Sequence, residues 1–91
     1  MPDPVSYLLI EEGWDVDGSD GQRAGGVREV VGDLQADIFD GITVDAGLMK
    51  TLRYVPAERI AEIVEGHVVL DVPAAAMDEF PEWTGSLPGT P

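Results

Sequence analysis

Three carboxylates set close together, Asp15, Asp17 and Asp20, are the first residues in this sequence whose type and spacing suggest chemistry. Oxygen ligands alternating along a short loop are how an EF-hand holds calcium. Such a loop needs glycine at its sixth position for the sharp turn and a bidentate glutamate at its twelfth. Counted from Asp15, those positions hold Asp20 and Gly26. Both requirements fail, so the run reads as a solvated hairpin turn with at most weak affinity for a divalent ion.

The remaining chemical signals are weaker. The glycines from Gly21 to Gly26 match neither G-x-G-x-x-G nor a phosphate loop followed by Lys and Ser or Thr. Glu29 with Asp33, or Glu62 with Glu65, resemble acid–base pairs only by proximity, and eighteen carboxylates in 91 residues supply such pairs by chance. General acid catalysis needs a buried carboxyl with a raised pKa, and no pattern here marks one. His67 is the single histidine, which leaves no histidine pair for a metal; beside Gly66 it reads as an exposed or half-exposed strand residue. The absence of cysteine excludes disulfides, thiolate zinc sites and cysteine nucleophiles. No catalytic residue, cofactor or metal is expected.

These residues sit on a chain with the signals of strands and tight turns. Tyr7-Leu8-Leu9-Ile10 is a short β-prone run, and Trp14-Asp15-Val16-Asp17 alternates as a half-buried strand should. Gly18-Ser19-Asp20-Gly21 has turn chemistry, because glycine takes positive φ and Asp bonds its own backbone. Ala24 to Val31 reads as a strand in which Gly25 and Gly26 mark a bulge or a close backbone approach. Gly32-Asp33 predicts another turn, while Leu34 to Asp37 is ambiguous. Ile38-Phe39 and Ile42-Thr43-Val44 flank Asp40-Gly41, a dipeptide of hairpin turns, and Asp45-Ala46-Gly47 closes that segment.

Lys50 to Val55 reads as a strand that Pro56 stops, and His67 to Val72 as another. Between them, Ala57 to Glu65 has two readings. Ile60, Ile63 and Val64 fall at helical spacing, with Pro56 to open a helix and Gly66 to close it. The competing reading is a turn at Pro56-Ala57-Glu58 followed by a strand over 59–64. Ala74 to Phe80 favours a short helix ended by Pro81, and residues 84–91 read as a mobile tail.

A family resemblance emerges from these segments. Trp14-Asp15-Val16-Asp17-Gly18-Ser19-Asp20-Gly21 and Ala24-Gly25-Gly26-Val27-Arg28-Glu29-Val30-Val31 resemble a PRC-barrel domain. So do Asp40-Gly41-Ile42-Thr43-Val44, the run from Arg53 through Ile63, and Val68-Val69-Leu70-Asp71-Val72. The likeness covers residues 8–72 and rests on hairpin and core patterns rather than chemical signatures. The family is similar to the cytoplasmic part of the photosynthetic reaction-centre H subunit and to the C-terminal domain of the ribosome maturation factor RimM. It implies a small, strongly bent β-barrel of about six strands that serves as an interaction module, with Pro56 to Glu58 as a turn. The sequence has neither the transmembrane helix of the one nor the N-terminal partner domain of the other, so those specific roles are not expected to carry over.

Met77, Phe80 and Trp83 are spaced three apart, so a helical path would put them on one face, interleaved with Asp78, Glu79 and Glu82. Either this helix covers an open end of the barrel and completes a small core, or its aromatic residues anchor a partner groove or a second copy of the chain.

Charge and size bound the rest. Five Lys and Arg against eighteen Asp and Glu give a net charge of −13. Residues 1–45 carry eleven acids and two bases, and residues 46–91 seven and three. Binding nucleic acid through phosphates needs clustered bases; here Arg23, Arg28, Lys50, Arg53 and Arg59 are scattered, so neither nucleic acid nor an anionic membrane is an expected partner. The start, Met1-Pro2-Asp3-Pro4-Val5, lacks the basic segment and apolar run of a secretory signal. No apolar run approaches the ~20 residues that cross a bilayer, and a cytoplasmic location is expected.

The sequence therefore predicts a mainly β, PRC-barrel-like domain over residues 1–72, a short C-terminal helix over 73–83 and a tail over 84–91. Its expected role is a non-catalytic protein-interaction or adaptor module that binds a protein partner or self-associates, as a homodimer for example, through Met77, Phe80 and Trp83. The alternatives are an acidic nucleic-acid-mimicking decoy that binds a basic protein, competing with DNA in a salt-dependent way, and a small ligand-binding barrel that a ligand would stabilise.

Overall fold

A computed structural model describes residues 6–33, 35–46 and 52–85. Six strands form one mixed sheet: β1 (Asp15–Asp17), β2 (Arg23–Asp33), β3 (Ile38–Asp45), β4 (Leu52–Pro56), β5 (Ile60–Val64) and β6 (His67–Leu70). Their order is β4-β3-β2-β1-β6-β5. Neighbours pair antiparallel except β1 and β6, which run parallel with Val16 opposite Val68. Among the described residues there are also three 3-10 turns, at Tyr7–Leu9, Ala57–Arg59 and Ala74–Glu79. Among the described residues no helix is long and apolar enough to cross a membrane.

The core follows from strand alternation. In β1, Val16 is fully buried between the partly exposed Asp15 and Asp17; in β6, Val68 and Leu70 point inward. With Ile10, Val27, Ile42, Val44, Val55 and Met77 they make one apolar cluster.

The sheet cannot be flat. Its two edge strands, β4 and β5, are joined only by the three residues Ala57–Arg59. Six flat strands would hold those edges about 24 Å apart, at about 4.8 Å per gap. The four Cα steps from Pro56 to Ile60 span at most about 15 Å. The sheet must therefore curl until its edges approach. Two register shifts in β2 promote this, one beside Ala24 opposite β1 and one at Arg28 opposite β3. A bulge bends its strand and strengthens local twist. The shift leaves Arg28 without an opposite residue, and beside it the Oγ1 of fully buried Thr43 accepts the Glu29 N–H at 3.1 Å.

The expectation of a small bent β-barrel of about six strands is met in part: six strands form one curled sheet, and closure is not found among the described residues. No ladder joins β4 to β5 among the described residues. The outward groups of β4 are already engaged. Tyr54 N–H donates to the Pro81 carbonyl at 2.9 Å, and the Leu52 carbonyl accepts from Trp83 N–H at 2.8 Å. The C-terminal segment occupies the edge that closure would need.

Local expectations meet mixed outcomes. Asp40-Gly41 is not a hairpin turn; it lies inside β3, which runs unbroken across it. Glycine stands there because a Cβ would sit 2.2 Å from the Val55 carbonyl oxygen and 2.9 Å from the Tyr54 hydroxyl. The reversal lies earlier. Asp33 Oδ1 accepts from Gln35 and Ala36 N–H, and Asp37 takes a positive φ of 57°. Gly32-Asp33 accordingly remains in β2 rather than turning the chain. The β-prone run at Tyr7 is a 3-10 turn capped by Ser6, whose Oγ accepts from Leu8 N–H at 3.1 Å. Ala57 to Glu65 takes the turn-plus-strand form, since β-branched Ile60, Ile63 and Val64 gain a ladder against β6 that a two-turn helix would forgo. Gly47, Lys50 and residues 86–91 of the expected tail lie outside the described residues.

Candidate functional site

The acidic residues singled out by spacing do not converge. Asp15 and Asp17 point outward from β1, on either side of buried Val16. Arg23 Nε, across on β2, donates to Asp15 Oδ1 at 2.9 Å. His67, opposite on β6, places Nδ1 2.9 Å from Asp17 Oδ2 and 4.0 Å from the nearer oxygen of Asp15. The Arg23 hydrogen bond and charge hold the Asp15 carboxyl below the usual carboxylate range, with His67 adding to them. Asp20 serves the turn instead: its Oδ1 accepts from Gln22 N–H at 3.2 Å and Ala74 N–H at 3.3 Å. The latter ties the C-terminal 3-10 turn to the β1–β2 connection. Among the described residues no three His, Asp or Glu side chains converge as metal ligands.

Met77, Phe80 and Trp83 do not share a helical face. The 3-10 turn ends at Glu79, and Phe80 is extended at φ −76°, ψ 149°. Pro81 is the cause, because its ring disfavours helical geometry in the preceding residue. Met77 is 4% exposed and belongs to the core, and Phe80 packs against that core half-buried. Trp83, reached by an extended path, stacks on Tyr54 with ring centroids 5.5 Å apart. Arg53 Nη1 donates to the Phe80 carbonyl at 3.0 Å, and the backbones of Arg53 and Glu82 form an isolated antiparallel β-bridge. Residues 80–83 thus bind this chain's own β4.

At the other edge, β5 has no second neighbour among the described residues. Beside β5 lies an apolar groove of about 510 Å³ lined by Phe39, Ala57, Ile60, Ala61, Ile63 and Val69, with Glu62 at its rim. Phe39 is fixed there by Tyr7, whose ring stacks on it in parallel at 4.6 Å. Tyr7 is held in turn by its hydroxyl, which donates to Asp37 and whose phenol pKa that bond raises. Large apolar side chains stand exposed on the same elements, Leu8 and Leu9 beside Tyr7 and Ile38 beside Phe39. Among the described residues, β5 pairs only with β6.

Sequence reasoning missed this groove. The signal was the triplet Ile60, Ile63, Val64: a strand over 59–64 is one of two readings, but local spacing does not tell that such a strand has a single neighbour among the described residues. Asp40-Gly41, read as a turn, likewise separated Phe39 from the continuous strand that carries it. A second recess, at Glu12, Gly13, Arg23, Gly26, Val27, Arg28 and Asp45, is polar and crossed by the Arg28–Glu12 ion pair.

Compared with known proteins, the chain matches no family model and no curated protein.

Proposed function

We propose that this chain is a non-catalytic protein-interaction module of the PRC-barrel type. The observation that carries the reading is the asymmetry of the sheet edges: β4 is covered by residues 80–83, whereas β5, beside an apolar groove, has no second neighbour among the described residues. Natural sheets blunt or cover their edges unless an edge has a partner to receive. The segments that resemble the family also fall on successive strands in chain order. Trp14–Gly21 spans β1 and its turn, Ala24–Val31 lies in β2, Asp40–Val44 in β3, and Val68–Val72 begins in β6. Arg53–Ile63 covers β4, the 3-10 turn and most of β5.

The partner surface in this reading moves away from Met77, which is buried, to Phe39, Ile60, Ile63 and Val69. The test is a photo-crosslinking amino acid placed at exposed Ala61, and at Gln22 as a distant control, in the expressing cell. A discrete protein adduct from Ala61 but not Gln22, whose purified form rebinds the wild-type chain, supports the module. The reading falls if neither position yields an adduct, or if the purified chain turns over a metabolite at a rate abolished by replacing one carboxylate.

A further inference from the structure

The open edge carries its own description of what it receives. Exposed Glu58, Glu62 and Glu65 flank the β5 edge along its length, from the preceding turn to the following one. The one base among these residues, Arg59, is engaged with Asp71 at 3.2 Å. Apolar floor and acidic rim therefore coincide along one strand whose outer edge has no neighbour among the described residues.

A second copy of the chain fits this edge poorly. A twofold edge-to-edge pairing is isologous, so it would set Glu58, Glu62 and Glu65 of one copy against the same residues of the other. Like charges opposite one another across strands are destabilising, and each copy adds a net charge of −13. A chain of opposite character meets no such repulsion. Side chains of an added strand alternate between its two faces, so one set can enter the groove while the other reaches the glutamates.

We infer that β5 receives an extended segment of a partner protein in which apolar and basic residues alternate. The segment adds to the sheet as a seventh strand: its apolar side chains pack on Phe39, Ile60 and Ile63, on the face of β5 that is turned toward the core, and its Lys or Arg side chains pair with Glu58, Glu62 and Glu65. This rests on the interaction-module reading and gives it a partner chemistry.

The probe is a dye-labelled synthetic decapeptide of alternating Val and Lys, titrated by fluorescence anisotropy and mapped by amide chemical shifts on the full chain. Three controls accompany it: the Val/Glu counterpart, a Val/Lys peptide N-methylated on alternate residues, and the Glu58→Lys/Glu62→Lys variant, whose substitutions are exposed. The expected result is shifts centred on residues 60–64 and Phe39. Binding should weaken at least tenfold for the Val/Glu peptide, for the N-methylated peptide whose methyl groups face β5, and for the variant.

Shifts centred on Asp15–Asp20, equal binding of both charge types, or no binding at millimolar peptide would each overturn the inference. So would dilution-dependent shifts on β5 in the chain alone, which identify a second copy as the occupant. In that last case, and where the Ala61 adduct proves to be an acidic segment, the module reading stands and only the partner chemistry falls. Absence of any adduct removes the module reading itself.

Discussion

The Trp83 indole lies against the Tyr54 ring, centroids 5.5 Å apart and planes 27° from parallel, where the two main chains are hydrogen-bonded across β4. The same tyrosine reaches the other way, its hydroxyl donating to the Asp40 carbonyl at 2.7 Å. Tyr54 thus connects residues 80–83 to β3. Burial, with Asp40 and Glu58 nearby, pushes its phenol pKa above the ordinary value.

Trp83→Ala should remove the stack and part of the burial beneath it. An aromatic pair contributes about 0.5–1.5 kcal/mol beyond area burial, so a loss of about 1–2 kcal/mol is expected. Urea denaturation read by far-UV circular dichroism measures it. An unchanged midpoint would mean that the segment merely rests on β4. Deleting the chain from Pro81 onward should also expose that edge, and sedimentation should then depend on concentration where the full chain's does not.

Met77→Ala is expected to cost more, about 2–4 kcal/mol, because a buried side chain is replaced by a cavity. For a domain of this size each kcal/mol lowers Tm by about 4–8 °C. Scanning calorimetry separates the two variants. A Met77→Ala effect no larger than that of Trp83→Ala would contradict the packing described above. A chain cut after Val72 loses Met77 as well, so its failure to bind a partner would report unfolding rather than a missing contact.

Gly41→Ala should be among the most disruptive single-methyl changes in the chain. The new Cβ would meet the Val55 carbonyl oxygen at 2.2 Å, and backbone cannot rotate away as a side chain can. A loss of about 3 kcal/mol is expected, the upper part of the usual overpacking range. Gly13→Ala is the contrast. Nothing lies within 4 Å of its Cβ position, and only its φ of +95° opposes the change, at about 1–2 kcal/mol. Equal costs in chemical denaturation would show that Gly41 is not set by contact with β4.

How far the sequence foretold this arrangement depends on how local each signal was. The alternation at Asp15-Val16-Asp17 and His67-Val68-Val69-Leu70 predicted strands, and both are strands. Asp40-Gly41 misled because the glycine answers to Val55, fourteen residues on, and a local reading sees only the dipeptide. The three-residue spacing of Met77, Phe80 and Trp83 misled because Pro81 converts the path from helix to extended chain after Glu79. Closure was out of local reach altogether, since it turns on which segment takes the outer edge of β4. The groove was legible only in part: Ile60, Ile63 and Val69 are apolar in the sequence, but what makes them a site is that β5 lacks a second neighbour among the described residues.

Asp15 gives the stability a dependence on acid. Its folded pKa is lowered by Arg23 and, to a smaller extent, His67. A carboxyl with a depressed folded pKa contributes stability above its unfolded pKa, about pH 3.9, and loses it as pH falls through the folded value. Wild type should therefore exceed Asp15→Asn in Tm from neutral pH down to about pH 4, with the gap closing below that. Because the pair is solvent-exposed, 1 M salt should narrow the gap at neutral pH. Thermal melts from pH 2 to pH 7 at both ionic strengths provide the check. A gap that persists undiminished at pH 2 would mean that Asp15 acts through its shape and hydrogen bonding in β1, which Asn alters at every pH, and not through the charge it presents to Arg23.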